Sequence, residues 1–143
     1  NKRMGRITLM KTIAIVPIEF VHQAWEKCGR FISSAMAHAK GECTVDQLKA
    51  QIITGHQKLM VYLDDKEIVG AVVFHFTNSP NARIFYINAI GGKTCKEHTE
   101  QMFDYARLNG CTCVRGSARE SVARLWRQKY GFESIYITVE KKL

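Results

Sequence analysis

The stretch from Arg83 to Arg115 narrows the fold more than any other part of this chain. "RIFYINAI" (83–90) has the apolar, β-branched and aromatic character of a strand, and Gly91-Gly92 ends it. Thr94-Cys95-Lys96-Glu97 has the spacing of a capping box and opens a helical stretch to about Leu108, stopped by Asn109-Gly110. "CTCVR" (111–115) is then a second strand. Strand, helix and strand in this order form a βαβ unit, and its right-handed crossover sets the two strands parallel.

The segments around this unit complete a mixed sheet. "TIAIVP" (12–17) is a short strand closed by Pro17. Residues 18–40 turn helical, with Phe20, Val21, Ala24 and Trp25 on one side. Phe31, Ile32, Met36 and Ala39 continue that face after a break expected at Gly29. Thr44 caps a second helix, which Gly55 stops. "KLMVYL" (58–63), "IVGAVVFHF" (68–76) and residues 83–90 form a meander. Beyond the βαβ unit, Ser117-Ala118-Arg119-Glu120 is a second box whose helix turns Val122, Leu125 and Trp126 inward and stops at Tyr130-Gly131. "FESIYITVEKK" closes as a strand. The expected class is α/β, one domain over residues 1–143, in the order β-α-α-β-β-β-α-β-α-β.

Composition limits what such a domain meets. Hydrophobic residues make up 46% of the chain, which suits a packed core. The net charge of +8 sits at the two ends. Residues 1–11, a basic extension, hold Lys2, Arg3, Arg6 and Lys11 without an acid; residues 111–143 hold seven bases against three acids. Between them the signs cancel. Basic ends suit nucleic acid, an acidic protein or the phosphates of a small ligand, and equally an ordinary solvated surface. Five cysteines without a CxxC spacing read as free thiols in a reducing cytoplasm, with neither disulfide nor metal expected. No apolar run is long enough to span a membrane, and Lys11 interrupts the one stretch that imitates a signal peptide.

Gly91-Gly92-Lys93-Thr94 before a helix offers backbone N–H groups, the positive end of the helix dipole and a lysine, a combination that favours phosphate. The same residues also make a plain turn. The element order, with "ARLWRQKYGF" (123–132) ending the last helix, resembles the GNAT superfamily of N-acetyltransferases. The order covers nearly the whole chain; the likeness in sequence rests on residues 83–138, with Ala123 and Gly131-Phe132 falling where that family's last motif puts them. The resemblance implies acetyl-CoA as co-substrate and an amine as acceptor. It also implies that the fourth and fifth strands splay apart to admit the pantetheine arm. Ile90, Gly91, Gly92, Lys93 and Thr94 would then hold the pyrophosphate, and an acid at Gly92 is expected to repel it without disturbing the fold.

Several positions depart from the family's pattern. The loop pattern Gln/Arg-x-x-Gly-x-Gly/Ala is met by Asn88, Gly91 and Lys93, in a shortened loop. Glu120 and Arg127 stand where the family often has an Asn and a thiolate-protonating Tyr. Arg127 cannot act as an acid, because guanidinium does not deprotonate in proteins. Glu120 reads as the N3 residue of the second box. Strand 83–90 has no carboxylate to prepare an amine, which leaves His75 as base, with Tyr86 or Asn88 steering a water, and Tyr130 as acid. A lone His between Phe74 and Phe76 also serves as a structural residue, and Tyr130 as packing beside Phe132. The motif-poor form resembles small GNAT-like proteins of tailed bacteriophages. That gives a rival: a catalytically silent, virion-associated binding module whose basic ends meet nucleic acid or protein, in the host cytoplasm or on the particle.

Overall fold

Three alternating apolar segments build the centre of the sheet: β2 (Lys58–Asp64), β3 (Glu67–Ser79) and β4 (Ala82–Gly92). They belong to a computed structural model that describes residues 10–143. β1 (Lys11–Ile15) pairs antiparallel with β2, β2 with β3 and β3 with β4; β5 (Cys113–Gly116) pairs parallel with β4. The sheet is therefore five-stranded and mixed, in the order β1-β2-β3-β4-β5. A single turn of 3-10 helix at Ile18–Phe20 leads into α1 (Val21–Met36), followed by α2 (Val45–Ile53), α3 (Lys96–Leu108) and α4 (Glu120–Tyr130).

The sheet is buried on both faces. Val21, Cys28 and Ile32 of α1, with Leu48 and Ile52 of α2, pack on Leu59, Val61, Ala71, Val73 and Ala89. On the other face Met102 and Ala106 of α3 meet Met60, Tyr62, Val72, Phe74, Phe85 and Ile87. The parity of β4 changes along its length: Phe85 and Ile87 face α3, whereas Ala89 faces α1. A bulge causes the switch, because Val73 pairs with Ala89 and Phe74 with Ile87, leaving Asn88 as the extra residue.

The structure corrects several expectations. α1 runs through Gly29 without a break, since its buried stripe continues from Val21 through Cys28 to Ile32. Thr44 does cap α2, in a reciprocal box with Gln47. The other two boxes do not form: α3 has Cys95 and α4 has Arg119 at the N-cap, each without a side-chain cap bond. Gly91-Gly92 belongs to β4 rather than to a free turn. α4 ends at Gly131 in the left-handed conformation, as expected, but buries no residue fully, and Leu125 is exposed. Trp126 is half-buried against Gly116 and Phe132, not a core residue.

The last strand is absent too. Residues 131–143 form no ladder, and Ile135, Tyr136, Ile137 and Val139 are exposed. Their alternation suits a strand, but a strand needs a paired neighbour, and the tail meets β5 through side chains alone, the Arg115 guanidinium lying over the Tyr136 ring at 6.0 Å.

Candidate active site

β4 and β5 pair only from Ile84 to Ile87 against Cys113 to Gly116. Beyond that point Ala89–Gly92 stays paired with β3 on one side and, among the described residues, has no strand on the other. The bulge at Asn88 bends β4 where the two strands part. A cleft of about 1,020 Å³ opens beside β5, lined by Tyr86, Arg115, Ser117, Arg127, Tyr130 and Tyr136 among others.

On the α1 side of this opening five polar residues form a chain. The ring of His75, on β3, tilts against that of Tyr86 on β4, with centroids 5.4 Å apart. The Tyr86 hydroxyl and Ser117 Oγ are 2.8 Å apart. Asn88 Nδ2 lies 2.7 Å from His75 Nδ1 and also contacts Gln57 Oε1. The bulge turns Asn88 toward His75, and Gln57 comes from the loop between α2 and β2. Gln57 carries no signal in the sequence, being a single polar residue in a loop, and Ser117 carries only that of the second box, a cap that does not form.

With both amides so oriented, Asn88 donates to His75 Nδ1 and the proton of the neutral ring sits on Nε2. Rotating both amides by half a turn reverses the chain: Gln57 donates to Asn88 Oδ1, which accepts from Nδ1–H, and Nε2 is free as a base. The two arrangements have the same shape, and only the second lets His75 accept a proton at Nε2. Partial burial lowers the pKa of His75, which keeps the ring neutral at pH 7. The sign follows from the direction. Below about pH 6.5 the unfolded chain takes up a proton that folded His75 resists, so stability is lost as pH falls through that value. The stability of the wild type relative to His75→Gln, from urea melts, is therefore expected to shrink between pH 7.5 and pH 5. A difference that grows on acidification would mean that the folded pKa is raised.

The glycine-rich turn is shaped mainly by packing. A Cβ on Gly91 would overlap the carbonyl oxygen of Phe31 and lie 2.8 Å from its carbon, so α1 occupies that side. Gly92 has φ +88°, and a Cβ there would lie 2.5 Å from Val69 O. An acid at Gly92 would therefore disturb the fold, contrary to expectation. The Lys93 amide donates to Val69 O at 2.8 Å, so it is not free for phosphate. Ile90 is half-buried and packs on the α3-side core. Thr94 is exposed, and the first-turn amides of α3 that follow it have no side-chain cap. Thr94, Lys96 and Tyr130 share a second cleft of about 720 Å³. Tyr130 thus lines both clefts, the larger with Tyr86 and the smaller with the start of α3, while His75 does not line the larger cleft and lies against Tyr86.

Glu120 and Arg127 find each other two turns apart on α4. Arg127 Nη2 donates to Glu120 Oε1 at 2.5 Å, and Nη1 to Ser134 Oγ at 2.9 Å. The guanidinium holds the Glu120 carboxyl below its usual range. Glu120 therefore serves Arg127 rather than a capping box.

No protein-family profile matches the sequence, and no curated protein matches it either. Solved structures do match in fold. A ribosomal-protein-alanine N-acetyltransferase from Brucella melitensis biovar Abortus superposes with a TM-score of 0.68 at 14% identity, over 93% of this chain and 99% of that one. An aminoglycoside acetyltransferase from an uncultured soil metagenomic sample, in complex with trehalose, gives 0.67 at 13%, over 93% and 96%. A possible acetyltransferase from Clostridium difficile gives 0.62 at 14%, over 94% and 98%. The chain has a GNAT-like fold, a mixed five-stranded sheet with four α-helices. Among the described residues no helix is long and apolar enough to cross a membrane.

Proposed function

We propose that this chain is an acyltransferase that moves an acyl group, acetyl in the first instance, from a CoA thioester to an amine. The observation that carries the reading is the parting of β4 from β5 beside the uncapped start of α3. The donor set fits a long ligand with phosphates at one end. The open edge of β4 at Asn88–Gly92 offers backbone partners for an extended amide-bearing arm, and Thr94, Lys96 and the first-turn amides of α3 suit phosphate oxygens. This moves phosphate binding from Gly92 and Lys93 toward the helix start, with Ile90 and Gly91 as the strand beneath. CoA supplies an activated thioester; the chain's own residues handle protons. His75, neutral and with Nε2 free in the second amide arrangement, accepts the amine's proton through Tyr86 or a water. The Tyr130 hydroxyl, between the two clefts, supplies the proton that the departing sulfur needs.

A second reading has its own support. Arg127 is committed to Glu120 and Ser134, and the Lys93 amide to Val69, which suits a silent fold used for binding, as on a phage particle. Lys141 and Lys142 would then face nucleic acid or protein from the exposed tail. Lys2, Arg3 and Arg6 lie outside the described residues. Calorimetric titration with acetyl-CoA separates the two. Saturating ligand, at about 100 times its dissociation constant, is expected to stabilise the protein by about 2.7 kcal/mol. Thr94→Asp sets a negative charge at an exposed position facing phosphate and is expected to weaken binding at least about tenfold while the ligand-free melt stays unchanged. Millimolar acetyl-CoA that neither binds nor shifts the wild-type melt would remove the enzyme and leave the binding module.

A further inference from the structure

Cys95, His98 and Asp64 form a cluster on the α3 face of the sheet; Cys95 borders the cleft of Thr94, Lys96 and Tyr130, while His98 and Asp64 take no part in the site above. Cys95 is the N-cap of α3 and His98 lies three residues on, so both side chains fall on one side of the first turn. His98 is buried, its ring stacked on Tyr62 with centroids 4.8 Å apart and planes 7° apart. Its Nε2 lies 2.9 Å from the carbonyl oxygen of Leu63, which can only accept, so Nε2 carries the proton in the neutral ring. The lone pair is therefore on Nδ1, and Nδ1 is 3.0 Å from Cys95 Sγ. The buried Asp64 carboxylate lies 3.7 Å from Nε2 and is also 3.5 Å from Lys11 Nζ.

This is the layout of an activated thiol: nucleophile, base, and a group that fixes the base's tautomer and steadies its charge. When the thiol proton moves to Nδ1, the imidazolium keeps a partner for each N–H, the thiolate on one side and the Leu63 carbonyl on the other. Asp64 and the face of Tyr62 stabilise its charge. The thiolate sits at the amino end of α3, where the dipole favours an anion. Cys95 is half-buried on the 720 Å³ cleft, within reach of solutes. Of the bases there, Lys96 pairs with Glu100 and Arg107 with Asp104; Lys129 has no ion-pair partner among the described residues, which biases the cleft toward anions.

We propose that Cys95 is a nucleophilic thiol, with His98 as its base and Asp64 as the carboxylate behind it, and that it forms a mixed disulfide with small anionic disulfides. The thiolate attacks one sulfur of the disulfide; the new Sγ–S bond forms as the original S–S bond breaks. The other half leaves as a thiolate and takes the proton from His98. The groups that bear on the titration are Asp64 and Tyr62 of β2, Lys11 of β1, and Tyr130 at the end of α4.

The test treats the folded chain with dithiobis(nitrobenzoate), quenches at intervals and locates the adduct by peptide mass spectrometry. Cys28, buried with its thiol pushed up to about 11, is the unreactive internal reference. Labelling of Cys95 is expected to change little from pH 6 to pH 8 and, at pH 6, to run about tenfold faster than that of free cysteine, whose rate climbs about tenfold per pH unit below its pKa. His98→Gln, which keeps a donor for Leu63 O but no base, is expected to restore that climb and remove the advantage. Asp64→Asn, which leaves the histidine in place, is expected to move the profile's inflection to higher pH, and it serves where His98→Gln does not fold. A wild-type profile that climbs like free cysteine's, or an unchanged profile in the folded variants, would overturn the proposal. Neither result depends on acetyl-CoA.

Discussion

Gly91→Ala is expected to lower the melting temperature by about 10 °C, through a loss of about 3 kcal/mol. The backbone of α1 lies against Gly91 so closely that a methyl group would overlap the Phe31 carbonyl, and no side chain can swing aside to make room. Relief requires the helix to retreat from β4, which would loosen the packing of Val21, Cys28 and Ile32 on Ala71, Val73 and Ala89. Gly131→Ala is the control. Its φ of +74° is strained for alanine, but nothing lies within 4 Å, so only the conformational penalty of about 1 kcal/mol applies. Thermal melts of the two variants side by side measure the difference. A shift below about 2 °C for Gly91→Ala would mean that the backbone of α1 does not lie against Gly91.

That contrast shows how a glycine pair invites two readings. Gly-Gly before a helix marks a phosphate turn when the backbone is free, and a close crossing when a neighbouring helix touches it. The local sequence is the same in both. The βαβ unit and the meander were legible because their patterns lie within one segment each: the strand alternation, the helical stripe, the cap at Thr44, and the stop at Gly131. The bulge at Asn88 was not, since it exists only in the register of β4 against β3. It is also what brings Asn88 to His75, so the candidate site depends on a feature that no single segment displays. The tail failed for a related reason. Ile135, Ile137 and Val139 alternate well, but alternation says which face a strand would bury and not whether a neighbour is there to pair with it. Glu120 satisfied the spacing of a box, yet Arg127 competes for its carboxylate and wins. Cys95 and His98 stand three apart in plain view, but Asp64 and the Leu63 carbonyl come from a distant strand.

Phe74→Ala is expected to cost about 3–5 kcal/mol, and Trp126→Ala, the residue that looked most like core, about 1–2 kcal/mol. Phe74 is fully buried in the middle of β3 and lies at the centre of an aromatic group. It stacks on Phe85 at 4.2 Å and meets the edges of Phe76 and Tyr105 at 5.7 and 5.8 Å. Removing its ring leaves a cavity walled by strands on one side and α3 on the other, which cannot close without breaking the ladder. Trp126 loses less because it is half-exposed in α4, where its contacts are Gly116 and Phe132 at the rim of the open cleft. Solvent or the tail can fill the space it vacates. Denaturant unfolding of both variants gives the ratio directly. Equal losses would mean that α4 is seated in the core and the cleft beside β5 is closed, and the opening assigned to a thioester's arm would close with it.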